Sequence, residues 1–425
     1  MAQSSTVTTP VRMFRVFDEP AGKGWAVSAK QTPTRAVGRY VAPMVALVAI
    51  GTVAACSSDS SGTRTVGPTT APSSTLGPWH GSLTASPLPA PVHTLRAVTC
   101  PTARRCWAVG STLATASSPA GAALVATTDG GATWTAETVP PTVSYLSAVA
   151  CASTRSCTAV GQVGLTGAGP GAVLTTANGG ATWVLQTVPA GTTDVTAVDC
   201  RTGGRCTALG VVAGRVTTLM PSSPSIWGAG GALPPVASAA TGLSCIDGGS
   251  CWATASQSVD VDHVVGVIAA TSDGGTTWTL QPVPAGTGAL QGIDCTSSAM
   301  RRTRTSCTAV GTTSTVLGGG RVGQGVVLSS ANGGASWVPV PLGSTSADLL
   351  GVSCAAGPCA AVGTTVASAS QAGVAILTGA IVGFGPLWRR TSVAHVALPL
   401  TAVSCVSLSA CVMVGESVTA HLSSG

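Results

Sequence analysis

The chain has 425 residues, of which 45% are apolar but 8% charged and 4% aromatic. After Cys56 there is no lysine, and fourteen arginines stand against twelve acids, a net charge of +2 that excludes a nucleic-acid binder working by bulk charge. Small and β-branched residues with abundant glycine, and no long 3.6-residue apolar period, predict an all-β chain rather than a helical one.

Residues 1–55 read as an n-region and signal segment. Arg35 and Arg39 precede "VAPMVALVAIGTVAAC". That apolar run is short for a membrane span and suits a signal h-region. Its end, Val53-Ala54-Ala55-Cys56, resembles a bacterial lipobox. The resemblance implies that Cys56 is acylated, becomes the first residue after cleavage, and anchors an extracytoplasmic protein to the bacterial cell membrane. Residues 56–76 are rich in Ser, Thr, Pro and Gly and predict a flexible tether.

From residue 77 to 425 the chain repeats. Fourteen cysteines fall into neighbouring pairs: Cys100/Cys106, Cys151/Cys157, Cys200/Cys206, Cys245/Cys251, Cys295/Cys307, Cys354/Cys359 and Cys405/Cys411. An even set in an exported chain predicts disulfides, and C-x5-C without a partnered His is poor zinc spacing. No metal or cofactor is expected. Each pair is flanked by short apolar runs such as "LSAVAC" and "CTAVG", the pattern of a β-hairpin.

After each pair but the last comes a tryptophan: Trp134, Trp183, Trp227, Trp278, Trp337 and Trp388. The last repeat stops before its own, while Trp79 stands alone at the start. An N-terminal strand that completes the last repeat predicts a closed ring. The Cys-to-Cys period suits four-stranded propeller blades. The expectation is therefore a seven-bladed β-propeller over 77–425, monomeric, its last blade closed by both termini.

Four of these tryptophans end a boxed stretch, "TTDGGATW", "TANGGATW", "TSDGGTTW" and "SANGGASW". It resembles the Asp-box, or bacterial neuraminidase repeat, of sialidases, sortilin-type receptors and a photosystem II assembly factor. The resemblance implies a structural turn between strands c and d. Asp129, Asn178, Asp273 and Asn332 would bond the backbone there, while Trp134, Trp183, Trp278 and Trp337 would pack between blades. An Asn does this task as well as an Asp because it is turn bonding and not proton transfer.

Catalysis has little to stand on. A sialidase needs an arginine triad, a Tyr/Glu nucleophile pair and an acid. The mature chain has one tyrosine, Tyr145, expected before a strand a, and two glutamates, Glu137, expected at the rim, and Glu416. Asp260, Asp262 and His263 sit close enough in sequence for two carboxylates to share a strand face, the basis of an alternative reading as a surface glycosidase. Trp107 and Trp252 depart from the repeat and are expected to fill interblade gaps rather than stack on a sugar. Asp199 and Asp294, each just before a cysteine, are expected at strand-end turns.

Eight arginines lie between paired cysteines: Arg104, Arg105, Arg155, Arg201, Arg205, Arg301, Arg302 and Arg304. Loops braced by disulfides would hold these guanidinium groups for bidentate capture of phosphate or carboxylate. The expected function is a lipid-anchored, non-catalytic binding or assembly scaffold. Its expected partner is an envelope protein, an anionic lipid or an acidic polysaccharide.

Overall fold

The computed structural model describes residues 82–423, apart from 116–118, 165–168, 202, 247–248, 260–263, 298–304, 314–315, 318–319, 322–323, 343–346, 356–357, 367–371, 382–385, 393–398, 408 and 418. Cys56, the tether and Trp79 lie outside the described residues, as do Asp260, Asp262, His263, Arg301, Arg302 and Arg304.

The described chain is an all-β propeller of antiparallel four-stranded sheets. Blade one has strands a to d at Val92–Thr99, Cys106–Thr112, Ala122–Thr127 and Thr135–Ala136. Blade two has Val143–Cys151, Cys157–Val163, Gly171–Thr176 and Val184–Leu185. Blade three has Thr192–Cys200, Cys206–Val212, Arg215–Ser223 and Ile226–Ala232. Blade four has Ala239–Cys245, Cys251–Ser258, Val264–Thr271 and Thr279–Leu280. Blade five has Thr287–Ser297, Thr305–Thr313, Gly325–Ser330 and Val338–Val340. Blade six has Ala347–Cys354, Cys359–Val366, Ala372–Ile381 and Pro386–Ser392.

This corrects the expected count. There are six blades of four strands drawn from one run of chain, not seven, because the last cysteine repeat holds only three strands. It supplies only Leu400–Ser407, Ala410–Gly415 and Thr419–Ser423. These form a composite sheet with the N-terminal strand Ser82–Ser86, paired in the register Ser82 to Ser423 through Ser86 to Thr419. The composite sheet meets blade one directly. Ser404 Oγ accepts the Cys100 amide at 3.0 Å, and the Thr401 hydroxyl donates to the Leu95 carbonyl at 2.6 Å.

A disulfide ties strands a and b in every repeat, always between neighbours. Blades one to six carry Cys100–Cys106, Cys151–Cys157, Cys200–Cys206, Cys245–Cys251, Cys295–Cys307 and Cys354–Cys359. Cys405–Cys411 braces the composite sheet. Cys411 is buried there and packs with Ala360 and Val362 of blade six. Its Sγ also lies 3.3 Å from the Ser407 carbonyl oxygen. That approach is a contact and not a hydrogen bond, because a disulfide sulfur carries no proton to donate.

The glycine that ends "CTAVG" has a steric cause. Strand a of blade two carries an extra residue between Leu146 and Ala148, and its backbone presses on strand b. A Cβ at Gly161 would sit 2.1 Å from the Tyr145 carbonyl oxygen. The apolar core lies between blades rather than within them. Trp107, Val109 and Leu124 of blade one pack with Leu146, Ala159, Leu174 and Trp183 of blade two. Leu95 and Val98 pack in the same way with Val412 and Val414 of the composite sheet.

Candidate functional site

The disulfide loops and the boxed turns share one face because hydrogen bonds staple them together. The amide of the first boxed glycine donates to a loop carbonyl of the same blade: Gly130 to Arg104 and Gly179 to Arg155, both at 2.9 Å. The turns are locked from within. Asp129 Oδ1 accepts the Thr127 hydroxyl at 2.7 Å and the Thr133 amide at 2.9 Å, and Oδ2 accepts the Thr133 hydroxyl at 2.6 Å. Gly130 holds φ at +79°, a conformation an L side chain rarely adopts.

Asn178 accepts the same two bonds, at 2.9 and 3.0 Å, and its amide donates to the Thr182 hydroxyl. Asp273 repeats the pattern with Thr271 and Thr277, and Asn332 with Ser330 and Ser336. Hydroxyl and amide donors hold the Asp129 and Asp273 carboxyls well below the usual range. Trp134, Trp183, Trp278 and Trp337 are all buried.

The arginines of this face divide into two kinds. Arg104, Arg155 and Arg205, on the loops of adjacent blades one, two and three, are exposed. Arg105 and Arg201 are not. Arg105 lies 4.9 Å over the Trp107 ring and donates through Nη2 to the Gly179 carbonyl of blade two at 2.7 Å. Arg201 points back to the Thr207 hydroxyl at 3.4 Å and faces Asp199. Of the five described arginines expected for anion capture, three are therefore exposed and two are structural.

The carboxylates are also redistributed. Glu137 is not a solvent-facing rim group but a half-buried bridge. Its Oε2 accepts the Trp183 indole N–H at 2.6 Å, and its Oε1 accepts that of Trp107 at 3.2 Å. Burial raises its pKa, against the pull of both indoles and Arg105. Trp107 is 0% and Trp252 5% exposed, so both fill interblade gaps and neither offers a face to a sugar. Tyr145 lies within strand a of blade two, not before it. Its hydroxyl donates to Asp194 Oδ1 of blade three at 3.1 Å, and burial followed by the Asp194 charge pushes it up to about 12. Arg96 lies 5.9 Å over the Tyr145 ring.

Asp199 and Asp294 are not strand-end turn residues. Asp199 Oδ2 accepts the Cys245 amide of blade four, and Asp294 Oδ2 the Cys354 amide of blade six, both at 2.7 Å. A signal for this was present in the sequence, since an Asp or Ser stands before the first cysteine in five repeats. Among the described residues, no three metal-ligating side chains converge.

No protein-family profile matches the chain, and no curated protein is significantly similar to it in sequence. Solved structures do resemble it in fold. One is YCF48 bound to a D1 peptide, with TM-score 0.54 and 16% identity over 81% of this chain and 97% of that one. Another is a catalytically inactive virginiamycin B lyase from Staphylococcus aureus with quinupristin, with TM-score 0.55 and 9% identity over 81% of this chain and 100% of that one. A streptogramin B lyase has TM-score 0.53 and 10% identity over 80% and 97%. At these identities the likeness is one of fold.

Proposed function

We propose that this propeller is a non-catalytic binding scaffold that captures an acidic segment of a protein partner on its disulfide-loop face. The observation that carries the reading is the trio Arg104, Arg155 and Arg205. They are exposed on adjacent disulfide-closed loops, and none is ion-paired among the described residues. Their guanidinium groups present planar forks of donors that match the two oxygens of a carboxylate. YCF48 gives the same fold a peptide-bound example.

Six of the eight described acids are engaged in holding the fold, which argues against hydrolysis as the function. Asp129 and Asp273 are consumed in turns, Asp199 and Asp294 in interblade bonds, and Glu137 and Asp194 by indole and phenol donors. The reading also places the propeller outside the cytoplasm on an acylated Cys56. The disulfide set supports export. Incorporation of labelled fatty acid, abolished by Cys56→Ser, tests the anchor.

The binding reading is tested with the triple variant Arg104→Ala/Arg155→Ala/Arg205→Ala and immobilised Glu-rich peptide. Wild type should bind, weaken with salt, and lose at least tenfold in affinity on triple substitution. Unchanged binding by the variant at low salt overturns the assignment.

A further inference from the structure

Five joints between neighbouring repeats are closed in one way. The side chain just before the first cysteine accepts the backbone N–H of the first cysteine of the next repeat. Ser244 Oγ takes Cys295, Ser353 Oγ takes Cys405 and Ser404 Oγ takes Cys100, each at 3.0 Å. Asp199 and Asp294 do the same for Cys245 and Cys354. Three serines show that the bond needs an oxygen and not a charge. Two carboxyls in partly buried positions are therefore an expensive choice, because burying a charge costs far more than burying a hydroxyl.

The two acids are also linked. Ser244 stands between them on blade four, bonded to Asp294, and the Asp199 charge acts on Asp294. Among the described residues, the groups that face them are few. Asp199 meets Arg201 of its own loop and the amides of Cys200 and Cys245. Asp294 meets Asp199, the Ser244 hydroxyl and the amides of Cys295 and Cys354. Among the described residues only Arg201 offsets the charge, and it faces Asp199.

We propose that Asp199, Ser244 and Asp294 form a proton-sensitive latch that holds blades three to six tightly when the two carboxyls are protonated and loosens these joints as they ionise. Burial is the main cause that pushes Asp199 up to about 6 and Asp294 up to about 7. An unfolded chain would titrate both near 4. The folded state thus binds more protons between those limits. The latch's contribution is fully present below the unfolded value and is lost as pH rises through the folded ones. The stability of this ring segment then follows the acidity of its surroundings across the range a cell surface meets.

The test is thermal unfolding of the full chain in detergent at pH 5 and pH 8, for wild type and for Asp199→Ser/Asp294→Ser. Serine is the residue that three other joints use, so the amide bonds can re-form without a charge. Wild type should melt several degrees lower at pH 8 than at pH 5. Glu137, Asp194 and Asp348 also have burial-raised carboxyls and leave a residual fall. The double variant should lose more than half of the wild-type fall, and a smaller loss overturns the proposal. Should the double variant fail to fold, Asp294→Asn takes its place with the same criterion at half the size. Amide exchange, corrected for intrinsic base catalysis, gives a local readout. Protection at Cys245 and Cys354 should drop between pH 5 and 8, while Cys405 and Cys100, on serine latches, hold theirs. Equal loss at all four amides would mean global loosening and would also overturn it.

Discussion

Trp183 Nε1 donates to Glu137 Oε2 at 2.6 Å across the joint between blades one and two, and Trp107 Nε1 donates to the other oxygen of the same carboxylate. One acid therefore satisfies two indoles that would otherwise be buried donors without acceptors. Space for it comes from the next boxed turn, where a Cβ at Gly180 would collide with the Glu137 carboxylate. Glu137→Ala should leave both indoles unpaired and cost about 2–3 kcal/mol. Glu137→Gln, which keeps one acceptor, should cost about half as much. Urea unfolding midpoints of the two variants check the order, and equal losses would show that the bridge is mere packing.

That joint shows what the sequence could and could not give. The repeats were legible because each needs the same parts in the same order: a cysteine pair, a glycine after strand b, and a tryptophan between blades. The role of Glu137 was not, because its donors lie 30 and 46 residues away and belong to two blades. Asp199 and Asp294 were misplaced for the same reason, since their acceptor atoms serve amides 46 and 60 residues on. Arg104 and Arg105 are adjacent in the chain, yet one is exposed and the other crosses to Gly179. Charge alone does not distinguish them. The count of seven blades failed on the last repeat, which holds only three strands of its own, although its pairing with the N-terminal strand was expected.

Gly161 offers a steric test of the strand a–b contact. With a Cβ 2.1 Å from Tyr145 O and 2.8 Å from Leu146 Cα, both backbone atoms, alanine has no side chain to push aside. Gly161→Ala should cost about 3 kcal/mol. Blade four supplies the control, since Ala255 is a buried alanine on its strand b, where "CWATA" lacks the glycine of the other repeats. Ala255→Gly should cost under about 1 kcal/mol. Thermal melting of the pair checks the asymmetry.

The disulfides should differ in worth by the loop each closes. Six span separations of 5 or 6 residues and Cys295–Cys307 spans 12. Chain-entropy arithmetic gives the short ones about 2 kcal/mol each and the long one about 0.5 kcal/mol more. Paired Cys→Ser replacements, Cys295/Cys307 against Cys151/Cys157, measured by chemical unfolding, should show that difference. Peptide mapping of the native chain should find no bridge between different repeats.

The boxed turns predict an acid response opposite in sign to that of the latch. Asp129 and Asp273 are held ionised by hydroxyl and amide donors, so their folded pKa values lie below those of the unfolded chain. Their contribution is present above the unfolded value, near 4, and is lost as pH falls towards the folded ones. Blades two and five make the same turn with Asn178 and Asn332, whose amides donate where the carboxylates accept. The threonine hydroxyl can reverse its role to suit either partner. Asp129→Asn/Asp273→Asn should therefore match wild type in urea midpoint at pH 7. Between pH 4 and pH 2.5 the wild-type midpoint should fall more steeply than that of the double variant. Parallel decline of the two proteins would mean that the boxed acids carry no pH-dependent stability. A loss already present at pH 7 would mean that the reversed hydroxyl does not form, and that Asp and Asn turns are not interchangeable in this ring.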